Sequence, residues 1–190
     1  MEALKERIIA DGVAIGTEIV KVDSFLNHQI DVARLDEIGQ EFARIFAGCK
    51  VSKILTVEAS GIAIACMAAR HFGNIPVLFA KKTAPNTMTE EFYGAEVKSF
   101  TKGTTSVVRV SKKYLCKEDK ILILDDFLAH GEAALGMAEL VEQAGAELVG
   151  VGAVIEKQFQ GGGKRLKEKG CWVESLAVIE SICDGEIRFL

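Results

Sequence analysis

The sequence predicts an α/β fold, a central and mainly parallel sheet flanked by helices. Three observations carry that expectation. Apolar runs of strand length alternate with helix-length amphipathic runs along most of the chain. The strand-like runs are continuous in Val, Ile and Leu, the pattern of strands covered on both faces. At 190 residues the chain suits a single domain (1–190), long enough to bury about 70% of its unfolded surface.

The elements follow in order. "MEALKERIIADG" has the charged, amphipathic pattern of a helix and lacks the apolar core of a signal peptide. Val32, Leu35, Ile38, Phe42, Ile45 and Phe46 recur at helical spacing, with Asp31 as the expected N-cap. "SKILTVE" (52–58) and "PVLFAKK" (76–82) read as buried strands, joined by a helix at 61–73 whose Cys66 and Met67 read as core. "KILILDD" (120–126) is the next buried strand, followed by a helix at 131–145. Strands at 146–156 and 172–181 complete the set, and "GGGK" (161–164) reads as a flexible turn before a basic helix. It lacks the spacing of a nucleotide-binding P-loop. From Thr83 to Tyr114 the rhythm breaks, and the Thr- and Lys-rich stretch reads as a mobile loop followed by an antiparallel hairpin. An insertion of this kind in a compact domain suits a functional lid.

Composition narrows the function. A net charge of −4 leaves no basic face for nucleic acid or an anionic membrane. Five cysteines with no CxxC spacing argue against a disulfide framework or a zinc site and fit a reducing, cytoplasmic setting. The longest apolar stretch, at 61–69, is far too short to span a bilayer.

In open α/β sheets ligands bind beyond the carboxyl ends of the strands, at a switch in strand order. The residues there are "EASG" (58–61), "KK" (81–82), "DDFLAHGEA" (125–133) and "EKQFQGGGK" (156–164), the acids, hydroxyl, lysines and glycine turns of a phosphate-and-sugar site. Asp125 and Asp126 end an otherwise apolar strand, and two adjacent carboxylates repel unless something cationic or hydrogen-bonding lies between them. A ribose diol or a hydrated Mg²⁺ meets that need. Downstream, Gly131 turns the chain into a helix whose first amides and positive dipole end suit a phosphate. An acid pair for the sugar and an amide cradle for the phosphate fit a ribose 5-phosphate.

Four apolar residues, Asp-Asp, and the Ala-x-Gly-x-Ala turn resemble the phosphoribosyl-pyrophosphate (PRPP) motif of type I phosphoribosyltransferases. "KVDSFLNHQID" (21–31), "FAKK" (79–82), "VKSFTK" (97–102) and "VIEKQFQ" (154–160) extend the resemblance, within the purine branch, to the bacterial members that act on xanthine. It implies a homodimer with PRPP and xanthine as substrates, Mg²⁺ as cofactor, and xanthosine 5′-monophosphate and pyrophosphate as products. It implies catalytic roles for Asp125, Asp126 and Lys81, with Asp125 and Asp126 on the ribose hydroxyls directly or through Mg²⁺. Ala129, His130, Gly131, Glu132 and Ala133 would hold the 5′-phosphate. Glu58, Ala59, Ser60 and Gly61 would form the pyrophosphate loop, with Lys81 or Lys82 offsetting its charge. Val20, Asn27 and Lys157 match base contacts, and Phe159 is expected to stack on the base. The lid would be about 83–105, and a small hood over the base would come from about 1–30 and the C-terminal segment. Glu132 stands where the family commonly has Gln and His130 where it has Asn; a carboxylate beside the 5′-phosphate is unfavourable unless Glu132 points to solvent or pairs with a cation, and a protonated His130 would partly compensate. Hypoxanthine or guanine is the rival acceptor. A PRPP-sensing regulator is the rival function, disfavoured by the acidic charge and the short segment before the first strand.

Overall fold

The computed structural model describes residues 1–82, 91–99 and 104–190. The order is α1 (Glu2–Asp11), β1 (Val13–Ile15), β2 (Ile19–Lys21), α2 (Val32–Ile45), β3 (Lys53–Val57), α3 (Gly61–His71), β4 (Val77–Ala80), β5 (Phe92–Ser99), β6 (Thr104–Ser111), β7 (Lys120–Leu128), α4 (Glu132–Gln143), β8 (Glu147–Lys157), α5 (Gly162–Glu168), β9 (Val173–Cys183) and β10 (Glu186–Phe189).

Six strands form the central sheet in the order β10-β9-β8-β7-β3-β4, and only β10 runs antiparallel to its neighbour. The chain winds outward from β3 to β4, then returns to β7 on the other side of β3 and winds outward through β8 and β9. The order therefore reverses between β3 and β7, which places the expected ligand crevice beyond their carboxyl ends.

Side chains on the two faces of the sheet build two cores. On one face α2 and α3 contribute Leu35, Ile38, Phe42, Ile64 and Ala68. Asp31 caps α2, its Oδ1 accepting from the Arg34 amide at 3.1 Å, as the sequence leads one to expect. The two helices cross closely at Gly39, where a Cβ would lie 2.8 Å from the Ala68 amide nitrogen. On the other face α4 and α5 cover Leu55, Ile121, Ile123 and Val151, joined by the β5–β6 hairpin through Ala95, Val97, Val108 and Val110.

Three expectations are corrected. The run at 76–82 is not a buried strand: β4 is the sheet's edge and Phe79 is 37% exposed. Cys66 is exposed and not core, because Ile64, Ala65, Ala68 and Ala69 form the buried stripe of α3 and turn Cys66 outward; Met67 is partly buried against the core. The glycines of "GGGK" are no loose turn, since Gly162 and Gly163 are buried in the first turn of α5. The expected antiparallel hairpin is present as β5–β6, whereas 83–90 and 100–103, where most of the expected lid falls, lie outside the described residues.

Over the carboxyl edge sits the β1–β2 hairpin and a π-helical turn at Asp23–Asn27 that presents Asn27. Lys157 reaches it, its Nζ donating to the Glu18 carbonyl oxygen at 3.0 Å.

Candidate active site

Asp125 and Asp126 lie near the carboxyl end of β7, 7% and 9% exposed. Successive side chains of a strand leave on opposite faces, yet the two carboxyl groups still interact, the Asp126 side chain acting directly on that of Asp125. Asp126 Oδ2 accepts from Asn27 Nδ2 at 3.1 Å, which ties the acid pair to the hood. Asp125 Oδ1 accepts from the Asp126 amide at 3.0 Å and lies against the start of α3. A Cβ on Gly61 would sit 3.2 Å from Asp125 Oδ1 and 2.0 Å from Thr56 Oγ1, so glycine alone lets the helix end approach the acid pair this closely. The Thr56 hydroxyl, fully buried beneath this loop, has no hydrogen-bond partner among the described residues.

Burial first, and the charge of Asp126 second, hold the Asp125 carboxyl well above the ordinary carboxylate range. The Asp126 amide and the charge of Lys82 pull it the other way. Two carboxylates are few for a protein-made metal cage, and no group of three or more His, Cys, Asp or Glu gathers among the described residues. They do fit Mg²⁺ carried mainly by phosphate oxygens and water, the ligation this ion prefers.

After β7 the chain enters the Ala129–Ala133 loop. Gly131 takes a φ of +83° and N-caps α4, so the first amides of the helix face the crevice without intrahelical partners. The cation beside Glu132 is Arg165, whose Nη1 lies 2.5 Å from Glu132 Oε1. Across the switch point, Glu58 Oε1 accepts from the Lys82 amide at 2.6 Å, and Ser60 precedes α3 without capping it through its side chain. Ala59 joins this turn through a cis peptide to Glu58.

A cavity of about 580 Å³ opens between these parts, lined by Lys82, Phe127, the 128–134 turn, Glu18, Lys157, Gln160 and residues of the hairpin. Burial lowers the Lys157 pKa from its ordinary value of 10.5, with the charge of Glu18 opposing the shift. Lys157 Nζ also stands 5.9 Å from the centre of the Phe127 ring.

The structure thus brings together Asp125, Asp126, Asn27, Lys157, Lys82 and the two glycine-bearing turns. It separates the others. Lys81 turns from the crevice, pairs through its backbone with Arg109, and lines a second cavity of about 550 Å³ with Phe79 and Tyr114. Val20 is buried in the core that α2 and α3 share, and Phe159 is 41% exposed, outside the described lining of the site cavity. Phe127 and Arg165 were missed. Phe127 follows the acid pair directly and was legible as the next strand-end residue, whereas nothing local to residue 165 signals its partner at 132.

A crevice of this construction, set at a strand-order reversal, defines a class that similar proteins identify. Residues 21–185 match the phosphoribosyl transferase domain, and the chain belongs to that family. Among solved structures, adenine phosphoribosyltransferase from Rhodothermus marinus superposes with a TM-score of 0.74 at 20% identity, over 94% of this chain and 100% of that one. The Leishmania donovani adenine enzyme gives a TM-score of 0.74 at 19% identity, over 93% and 80%. The type I phosphoribosyltransferase fold follows. Curated relatives are more specific: the chain is 58% identical to the xanthine phosphoribosyltransferase of Ruminiclostridium cellulolyticum over 100% of its own length and 99% of that protein's. It is 56% identical to the xanthine phosphoribosyltransferase of Clostridioides difficile, over 100% of both.

Proposed function

We propose that the protein transfers the 5-phosphoribosyl group of PRPP to xanthine, giving xanthosine 5′-monophosphate and pyrophosphate, a purine-salvage reaction. The observation that carries this is the Asp125–Asp126 pair at the β3/β7 reversal, followed by the positive-φ Gly131 turn into α4, in a chain so similar to xanthine enzymes over its full length.

Asp125 and Asp126 hold the ribose hydroxyls, and the 129–133 amides hold the 5′-phosphate. The pyrophosphate lies on the Glu58–Gly61 turn at the N-terminus of α3, facing Lys82. Lys82 is favoured over Lys81 within one chain because it lines the cavity and its charge acts on Asp125. The base enters under the hood, where Lys157 and Asn27 donate to its carbonyl oxygens. Bound Mg²⁺ would neutralise charge on the departing pyrophosphate, beside Asp125 and Asp126. Substitution proceeds with inversion at the anomeric carbon. Positive charge develops on the ribose, stabilised by the fixed carboxylates, while helix-end amides and Lys82 meet the charge that develops on the leaving group. The enzyme acts in the cytoplasm as a homodimer, a reading consistent with the exposed edge at β4, where Phe79 and Tyr114 present apolar surface.

The test is PRPP-dependent formation of xanthosine 5′-monophosphate, with pyrophosphate released in equal amount, lost with EDTA and restored by Mg²⁺. Turnover unaffected by EDTA would contradict the Mg²⁺ assignment. Absence of product would contradict the reading.

A further inference from the structure

Glu132 places a carboxylate in the turn assigned to the 5′-phosphate, where a fixed negative charge opposes the ligand. It lines both the site cavity and an outer groove that also carries Glu96, Glu139, Glu142 and Glu168. The neighbouring acids therefore add to the problem. Against them stands Arg165, in the α5 helix, whose Nη1 donates to Glu132 Oε1 at 2.5 Å and to the His130 carbonyl oxygen at 2.6 Å. One guanidinium thus neutralises the acid and holds the backbone of the same turn.

Arg165 is the outermost of several ties from one segment. The Gly162 amide donates to the Ala129 carbonyl oxygen at 3.0 Å, and His130 Nδ1 lies 3.2 Å from the Gln160 carbonyl oxygen. Gly131 and Gly162 meet back to back, a Cβ on Gly162 falling 2.6 Å from the Gly131 amide nitrogen. Beneath them Glu156, buried at the end of β8, accepts from Ser175 Oγ at 2.7 Å and lies against Gly163, where a Cβ would come within 2.1 Å of its Oε1. The turn at 129–132 is therefore braced along its length by residues 160–165, and the brace begins three residues after Lys157.

We propose that Arg165 is a positioning residue of the phosphate turn. It cancels the charge of Glu132 and fixes the His130 carbonyl, so that the 131–133 amides point at the 5′-phosphate. The guanidinium is a fixed charge with planar donors, suited to bridging a carboxylate and a carbonyl at once. The proposal rests on the assignment of the 129–133 turn to the 5′-phosphate.

The experiment compares wild type with R165A, R165Q, R165K and the double variant E132Q/R165A, by steady-state kinetics and by calorimetric titration with ribose 5-phosphate. R165A and R165Q are expected to raise the KM for PRPP about tenfold or more while kcat and the KM for xanthine change by less than about threefold. E132Q/R165A is expected to recover most of the loss, and R165K part of it. A PRPP KM unchanged in R165A and R165Q overturns the proposal. So does a loss spread equally over kcat and both KM values that E132Q fails to rescue, the signature of a merely structural arginine. If the wild type forms no nucleotide from xanthine, the functional reading fails while ribose 5-phosphate affinity across the variants still decides the role of Arg165. Wild-type protein that does not bind ribose 5-phosphate overturns both.

Discussion

Asp125 shows at the scale of one residue how a site is built at the expense of the fold. Its folded-state pKa lies above the ordinary 3.8, so the folded protein holds that proton more tightly than the unfolded chain. The stability it confers when protonated is therefore lost as pH rises from near 3.8 through the raised folded value. Above that window the ligand-free fold carries a buried, repelled carboxylate. D125N should raise the thermal midpoint at neutral pH by about 2–4 °C, flatten its dependence between acid and neutral pH, and lower turnover at least about a hundredfold. Melting curves at two pH values check the first two effects, and an unchanged midpoint contradicts the account. Lys157 gives the converse case. With its pKa lowered from 10.5, it loses its proton at a lower pH than an ordinary lysine, so kcat/KM for xanthine should fall on the alkaline side below that value. K157R keeps its charge, and its profile should lack the fall that the lysine adds. The ratio of the two profiles cancels any titration of the base itself, and coincident profiles would remove Lys157 from base recognition.

At the scale of elements, legibility tracked how local the cause was. The long apolar strands and their helices are read within a few residues of their bounds, because continuous burial is written into consecutive side chains. β1 and β2 are three residues each, too short to show a period. The β9–β10 hairpin did leave a signal: Asp184 and Gly185 both take positive φ, 51° and 81°, and Asp-Gly is the pair that such two-residue turns favour. In the site, the acid pair and the glycine turn were legible because they close and follow an apolar strand, β7. The brace was not, since Gly162, Glu156 and Arg165 act on a turn about 30 residues away in sequence, and only the folded chain brings them together. The glycine is the sharpest probe of that brace. G162A would put a Cβ 2.4 Å from the Ala129 carbonyl oxygen, a backbone atom that cannot swing aside. It should cost roughly 1–3 kcal/mol in chemical denaturation and raise the KM for PRPP more than that for xanthine. Wild-type stability in G162A would show that the contact is slack.

Across the whole molecule, function follows from where the strand order turns back. The reversal between β3 and β7 leaves two strand ends side by side, each followed by a glycine-led helix start, Gly61 into α3 and Gly131 into α4. Two helix N-termini then converge on one crevice with the buried acid pair between them, an arrangement suited to a sugar carrying phosphate at both ends. The β1–β2 hairpin and the turn after it close a third side through Asn27 to Asp126 and Lys157 to Glu18, so the proposed base and sugar sites share contacts. Among the described residues no helix is long and apolar enough to cross a membrane. The central claim is the pairing of this crevice with xanthine. The most direct measurement is kcat/KM for nucleotide formation from PRPP with xanthine, hypoxanthine, guanine and adenine, in wild type and in Asp126→Asn. The account predicts a clear preference for xanthine over the other three bases, and a loss of turnover in the variant; preference for another base, or a variant as active as wild type, would contradict it.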